Sequence, residues 1–183
     1  MSTLSENRVR PVKFEVLIDQ HRIAQRVAEI GRQISAEYDD LNPVLVGVLK
    51  GCATFIGDLM RAISIPMELE FVTAASYRQG KLQSEDVKVG SEVSIDLKGR
   101  HVLLVEGIVD TGRTATMIME KIEQMVPASI EIVTLLDKPT SHRSKLDIKY
   151  KGFTIGNEFV IGYGLDNTQQ YRNLPYIGRV LDS

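Results

Sequence analysis

The sequence predicts an α/β fold with a mainly parallel, doubly wound sheet flanked by helices. Unbroken apolar runs, such as residues 44–49 and 102–105, are typical of strands covered on both faces. Segments with apolar residues at helical spacing lie between those runs, and this alternation favours parallel pairing of the strands. Ligands of such sheets bind beyond the carboxyl ends of the strands.

The composition is that of one globular domain spanning residues 1–183. The chain is 43% hydrophobic and 25% charged, and its net charge of −2 gives no overall case for binding nucleic acid or an anionic membrane. No apolar run approaches the ~20 residues that span a bilayer, and the N terminus lacks a signal-peptide core, so we expect a cytoplasmic protein. The single cysteine, Cys52, is expected to be a small buried residue rather than a nucleophile.

The first half of the chain contains a predicted helix, strand, helix and strand. Asp19 can cap the first helix, which ends before Asn42-Pro43, and residues 44–49 form a buried strand. The apolar stripe of this helix is Ile23, Val27, Ile30 and Ile34. The second helix carries Phe55, Ile56, Leu59, Met60 and Ile63. A half-exposed strand follows, in which Met67, Leu69 and Phe71 alternate with glutamates.

Residues 74–92 have few apolar anchors and are predicted to be a long loop, either a lid over a site or a mobile hairpin without a role. Beyond it we predict strands near 101–106, 130–136 and 159–163. A helix after Asp110 lies between the first two of these strands.

A phosphate-binding turn is predicted where the 102–106 strand meets that helix. The segment 102–114 reads VLLVEGIVDTGRT, and its last five residues open onto a helical pattern. First-turn amides have no partner within a helix and attract anions. Gly112 permits close backbone approach, Thr111 and Thr114 add hydroxyls, and Arg113 adds a cation. The alternative is an ordinary helix cap by Asp110 or Thr111.

This segment resembles the phosphoribosyl-diphosphate (PRPP) motif of the type I phosphoribosyltransferases. The rest of the chain, from Val44 to Gly178, is similar to the hypoxanthine-guanine branch of that family. The motifs that carry this resemblance are VGVLKG at 46–51, SY at 76–77, LLDKP at 135–139, NEFVIGYGLD at 157–166 and YRNLPYIG at 171–178.

The resemblance implies the type I phosphoribosyltransferase fold, with a flexible lid loop over 74–92 and a small base-binding hood over 137–178. It also implies purine salvage: transfer of the 5-phosphoribosyl group from PRPP to N9 of hypoxanthine or guanine, giving IMP or GMP and pyrophosphate. Mg²⁺ is the implied cofactor, and a homodimer or homotetramer is the implied assembly.

The resemblance assigns roles around the sugar. The 5-phosphate would be bound by residues 110–114, and Asp110 would be the acid/base that handles the proton at purine N7. Glu106 would bind the ribose hydroxyls and, with Asp166, a metal ion. Family members usually carry a second acid where this chain has Gly107. The absence of this second acid is expected to weaken PRPP binding roughly 10- to 100-fold, so we hypothesise that Gly107→Asp raises PRPP affinity.

Two further groups of residues complete the predicted site. Lys50 and Gly51 follow a buried strand and suit an anion; the resemblance assigns them to pyrophosphate together with Ser76, Tyr77 and Arg172. The Leu49-Lys50 bond is often cis in that family.

The purine would lie against the C-terminal third. By resemblance Lys138 would read its 6-oxo group. Phe159 can stack on a planar base while backbone groups of Val160 bond its edge, although Phe159 could equally be plain core. The same resemblance places Asp166 beside pyrophosphate, next to the purine.

Two alternatives to this function stay open. A phosphoribosyltransferase for xanthine or a pyrimidine would share the PRPP turn and differ in the base pocket. A regulator that senses PRPP or nucleotides and binds RNA or DNA could keep the same fold, although the chain is not basic overall.

Overall fold

The protein folds into two β-sheets and three α-helices within the part of the chain that the structure, a computed structural model, describes: residues 12–75, 88–89, 93–143 and 145–181. Its strands are β1 (Phe14–Ile18), β2 (Val44–Leu49), β3 (Glu68–Ala75), β4 (Lys88–Val89), β5 (His101–Val109), β6 (Ser129–Asp137), β7 (Tyr150–Thr154), β8 (Val160–Ile161) and β9 (Ile177–Val180). Its helices are α1 (Gln20–Glu37), α2 (Ala53–Ala62) and α3 (Arg113–Glu123), with a short 3₁₀ helix at Pro139–Ser141.

The central sheet has the strand order β4-β3-β2-β5-β6-β7, and all its neighbours pair in parallel except β3 with β4. This confirms the predicted mainly parallel α/β fold. The alternating side chains of β5 explain why helices cover both faces. Leu103 and Val105 belong to the apolar cluster that includes α1 and α2, whereas Val102 and Leu104 belong to the cluster that includes α3.

Helix α1 begins and packs as its sequence predicts. The Asp19 carboxylate accepts hydrogen bonds from the main-chain N–H groups of His21 and Arg22, and the whole predicted stripe is buried. Gly31 lies so close to α2 that a Cβ there would sit 2.5 Å from the Cβ of Ala62. The absence of a Cβ at Gly31 therefore lets α1 and α2 pack in contact. No helix in the described ranges is both long and apolar enough to cross a membrane.

The prediction for residues 159–163 is wrong in its partners and its length. Only β8 forms there, and it lies in a separate antiparallel sheet of order β1-β9-β8. Strands β1, β7 and β9, of four or five residues each, were not predicted from the sequence. The strand predicted at 101–106 runs three residues further, so Glu106 is not its last residue and Gly107 lies inside β5 rather than after it.

Of the loop predicted at 74–92, the structure describes residues 74, 75, 88 and 89. Ala74 and Ala75 pair antiparallel with Val89 and Lys88, so these four residues belong to the central sheet. Ser76 and Tyr77 lie outside the described residues, and the lid stays a prediction.

Candidate active site

A cleft of about 210 Å³ opens at the carboxyl ends of β2 and β5, the place where the fold favours a ligand. Its lining brings together three predicted groups of residues. They are Gly51 after β2, Glu106 within β5, and Asp110, Thr111, Gly112 and Thr114 in the turn before α3.

The predicted phosphate-binding turn forms the start of α3. The cap residue is Gly112, in the left-handed conformation with φ 78° and ψ −11°. The ordinary cap by Asp110 or Thr111 is therefore wrong, because the residue at the cap position has no side chain. A helix N terminus that begins on a glycine leaves room for an anion against its amides. The turn is held from outside by the Arg143 N–H, which donates to the Thr111 carbonyl (3.1 Å).

Asp110 and Lys138 face each other across the ends of β5 and β6. The Lys138 ammonium lies 3.4 Å from the Asp110 carboxylate, and the Lys138 N–H donates to the Val109 carbonyl (2.9 Å). The Lys138 side chain is only 8% exposed, whereas that of Asp110 is 52% exposed. The cation is thus fixed in place and the carboxylate is open to the cleft.

A buried carboxylate that the sequence did not predict, Asp137, immediately precedes Lys138 at the end of β6. Its side chain is fully buried, 2.8 Å from His142 Nε2 and 2.5 Å from the Lys151 ammonium. In the sequence, an aspartate next to a lysine looks like ordinary surface charge. Its burial depends on β7 pairing with β6, a strand that could not be predicted from the sequence.

Glu106 is the second buried acid of the site. It is 8% exposed, and burial raises the pKa of its carboxyl to about 8 because the charged form loses hydration. Beside it, burial raises the pKa of the Cys52 thiol to about 12, and the thiol is completely buried. A thiol in that state is a poor nucleophile, as expected for this cysteine.

The space around Gly107 contradicts the hypothesis that an acid there would help. A Cβ at this position would lie 2.4 Å from the Gly51 carbonyl oxygen and 2.8 Å from the Gly51 carbonyl carbon. A Cβ added at Gly164, whose φ is 96°, would likewise lie 2.7 Å from the same oxygen. The Gly51 carbonyl is therefore enclosed by two glycines. The Leu49-Lys50 peptide before it is cis, as the resemblance implied.

The base-binding segment presents Phe159 as predicted for a stacking ring. Phe159 is 48% exposed, so the alternative of a plain core residue is wrong, while Val160 is buried in β8. The hydroxyls of Thr140 and Ser141 both donate to the Asn157 side-chain oxygen, at 3.1 and 3.0 Å. These bonds tie the turn after Lys138 to the segment that carries Phe159.

Asp166 and Arg172 are brought together by a loop with unusual backbone geometry. Gly162, Tyr163 and Gly164 have consecutive positive φ values of 95°, 48° and 96°. The buried Tyr163 hydroxyl donates to the Asp58 carboxylate on α2, which anchors this run. Arg172 donates to the Gly164 carbonyl (2.6 Å) and pairs with Asp166 (2.7 Å).

These features define a class of protein: an α/β protein whose parallel sheet directs a helix N terminus and two acids, Glu106 and Asp110, into one cleft. The phosphoribosyl transferase domain family matches residues 15–168, and the chain belongs to that family.

Known proteins of this family resemble the chain over most of its length. The hypoxanthine phosphoribosyltransferases of Escherichia coli K12 and Salmonella typhimurium LT2 are each 43% identical over 169 residues, which are 91% of this chain and 95% of those proteins. The bifunctional protein TilS/HprT of Listeria innocua is 42% identical over 90% of this chain, but the chain spans only 25% of that protein.

Solved structures agree with these relatives. A hypoxanthine-guanine phosphoribosyltransferase of Bacillus anthracis superposes with a TM-score of 0.87 at 33% identity, covering 93% of this chain and 100% of that one. A hypoxanthine phosphoribosyltransferase of Staphylococcus aureus gives a TM-score of 0.87 at 36% identity, covering 98% and 97%.

Proposed function

We propose that the protein is a purine salvage enzyme that transfers the 5-phosphoribosyl group of PRPP to N9 of hypoxanthine or guanine, releasing pyrophosphate. The observation that carries this proposal is the 110–114 turn, which starts α3 on a left-handed glycine at the floor of the cleft. Relatives with 43% identity over nearly their whole length are named hypoxanthine phosphoribosyltransferases.

The 110–114 turn would bind the 5-phosphate and so fix the sugar. The amides at the start of α3, the Thr111 and Thr114 hydroxyls and Arg113 are the donors. Glu106 would bind the ribose hydroxyls from inside β5. Holding the anomeric carbon near the purine nitrogen removes much of the entropic cost of bringing two substrates together.

The hardest step is departure of pyrophosphate, because the C1–O bond breaks with the electron pair on the leaving group. Lys50 and Arg172 would neutralise that charge. Gly51 and, by resemblance, Ser76 and Tyr77 would bind the same pyrophosphate. Carboxylate oxygens of Glu106 and Asp166 would hold Mg²⁺, which proteins usually bind by one or two carboxylates plus substrate phosphates. Binding of the metal would displace the proton that burial keeps on Glu106. The bound metal would supply further charge neutralisation at the pyrophosphate.

The purine would lie between Phe159 and Lys138. The Lys138 ammonium donates only, so it selects a 6-oxo group over the 6-amino group of adenine. The Asp110 carboxylate would accept the proton at N7 as N9 attacks, and it would oppose the positive charge that builds up on the base. Backbone groups of Val160 and the side of the pocket near Asp166 would contact the other edge of the ring.

We also propose one domain over residues 1–183, a cytoplasmic location and a homodimer or homotetramer. Residues 74–92 would close over the site as a lid and keep water from the sugar cation.

An assay with PRPP, Mg²⁺ and hypoxanthine, guanine, xanthine or adenine in turn tests this function. We expect turnover with hypoxanthine or guanine and none with adenine. The variant Asp110→Asn keeps the shape of the side chain and should lower kcat roughly 100-fold or more. Turnover only with xanthine would replace the proposed base preference, and no turnover with any base would refute the proposal.

A further inference from the structure

Gln169, which belongs to none of the predicted site residues, connects both cations of the leaving-group site. Its side-chain oxygen lies 3.5 Å from the Lys50 ammonium and accepts a hydrogen bond from Arg172 Nη2 at 3.3 Å. Its main-chain N–H donates to the Asp166 carboxylate at 2.7 Å. One residue thus contacts three groups that come from two separate segments of the chain.

The backbone of the loop directs Gln169 to this position. Thr168, Gln169 and Tyr171 have φ values of 49°, 67° and 71°, in the left-handed region that non-glycine residues rarely adopt. The loop is closed by paired main-chain bonds between Asn167 and Gln170. Such conformations persist where surrounding contacts hold them, and they cluster at functional sites.

We propose that Gln169 is a positioning residue that keeps Lys50 and Arg172 ready for pyrophosphate; this inference rests on the proposed function. Lys50 is exposed, and a free lysine side chain has many rotamers to lose when it binds. Two neighbouring cations also repel each other. An acceptor shared between them draws both to one point before the anion arrives.

The neutral charge of the amide is central to this role. A carboxylate at the same place would pair with both cations and compete with pyrophosphate. The amide holds them through contacts of 3.3 and 3.5 Å, which are longer than the 2.7–2.9 Å of charge-assisted bonds to phosphate oxygens. A phosphoryl oxygen therefore replaces the amide oxygen at little cost.

The test compares Gln169→Ala, Gln169→Asn and Gln169→Glu with the neighbouring control Gln170→Ala. Asparagine tolerates the left-handed backbone and keeps the amide, but withdraws its oxygen by one methylene. We expect alanine and asparagine to raise the Kd for pyrophosphate in the presence of Mg²⁺, measured by calorimetry, roughly 3- to 10-fold. The KM for PRPP should rise in parallel, and the KM for hypoxanthine should stay within about twofold.

Glutamate should weaken pyrophosphate binding further than alanine does, and Gln170→Ala should match the wild type throughout. The inference is overturned if the Gln169→Asn protein binds pyrophosphate as the wild type does, or if the KM for hypoxanthine rises by the same factor as that for PRPP. Wild-type protein that binds pyrophosphate but turns over no purine would refute the proposed function, while the pyrophosphate comparison would still decide the role of Gln169.

Discussion

Placing a side chain at residue 107 is expected to weaken PRPP binding, although the family resemblance alone predicts that an aspartate there would strengthen it. The Cβ of any residue but glycine would lie 2.4 Å from the Gly51 carbonyl oxygen, and real Cβ contacts are essentially never under 3.0 Å. The atom that must give way is backbone rather than the end of a flexible side chain. The Lys50-Gly51 loop must therefore move by at least about 0.6 Å, the difference between those two distances.

This displacement sets the expected magnitudes for Gly107→Ala and Gly107→Asp. Overpacking of this kind costs about 1 to 3 kcal/mol of unfolding free energy, which lowers Tm by roughly 2 to 4 °C per kcal/mol in a chain of this size. Misplacing a binding group by a fraction of an ångström should lower kcat/KM for PRPP roughly 10-fold or more. Steady-state kinetics at varied PRPP and thermal unfolding measure both effects.

Gly57 on α2 provides the matched control, because a Cβ there meets nothing within 4 Å. The Gly57→Ala protein should be more stable by up to about 1 kcal/mol, since alanine favours a helix over glycine, and its kinetics should match the wild type. The packing argument is refuted if Gly107→Ala leaves Tm and the KM for PRPP unchanged. A lower KM for PRPP in Gly107→Asp would instead support the hypothesis that a second acid at residue 107 strengthens PRPP binding.

Three further substitutions test other parts of the site. Because the Glu106 pKa rises from 4.5 to about 8 on folding, the native state holds a proton that the unfolded chain loses between these values. The unfolding free energy of the metal-free protein should thus fall by a few kcal/mol from pH 4.5 to 8. Urea titrations at pH 5 and 8 should show this fall for the wild type and not for Glu106→Gln. The same pH dependence in both proteins would contradict the raised pKa of Glu106. Asp137→Asn removes the negative charge that pairs with His142 and Lys151, and it should lower the unfolding free energy by about 1.5 to 3 kcal/mol. It should also raise the KM for hypoxanthine more than the KM for PRPP. An unchanged Tm would refute the structural role of Asp137. Lys138→Gln should relax the exclusion of adenine in competition assays, and undiminished discrimination would remove Lys138 from base recognition.

The elements that sequence predicted well are those with strong hydrophobic periodicity. Helix α1 shows its buried stripe in the spacing of its isoleucines, and β2 and β5 are continuous apolar runs. The small antiparallel sheet, by contrast, could not be predicted from the sequence. In β1 only Ile18 is fully buried, and Val16 is 53% exposed, so no clear alternation marks the strand.

Motifs located the site, but they did not reveal how its parts touch. The turn at 110–114 could be placed because a strand, a glycine and a helix follow each other along the chain. Asp137 and Gln169 look like ordinary polar surface in the sequence, and only the folded chain brings their partners to them. The clash at Gly107 is hidden for a similar reason, because it involves the backbone of Gly51, more than fifty residues away.

The exposed ring of Phe159 offers a spectroscopic handle on the ligand cycle. The chain contains no tryptophan, so Phe159→Trp would introduce its only indole, which can be excited apart from the tyrosines, at the rim of the proposed purine pocket. With the native ring 48% open to water, its emission should start near that of a wetted indole and shift to the blue when a base covers it. Arrival and departure of nucleotide could then be followed in real time by stopped-flow mixing, without a coupled reaction.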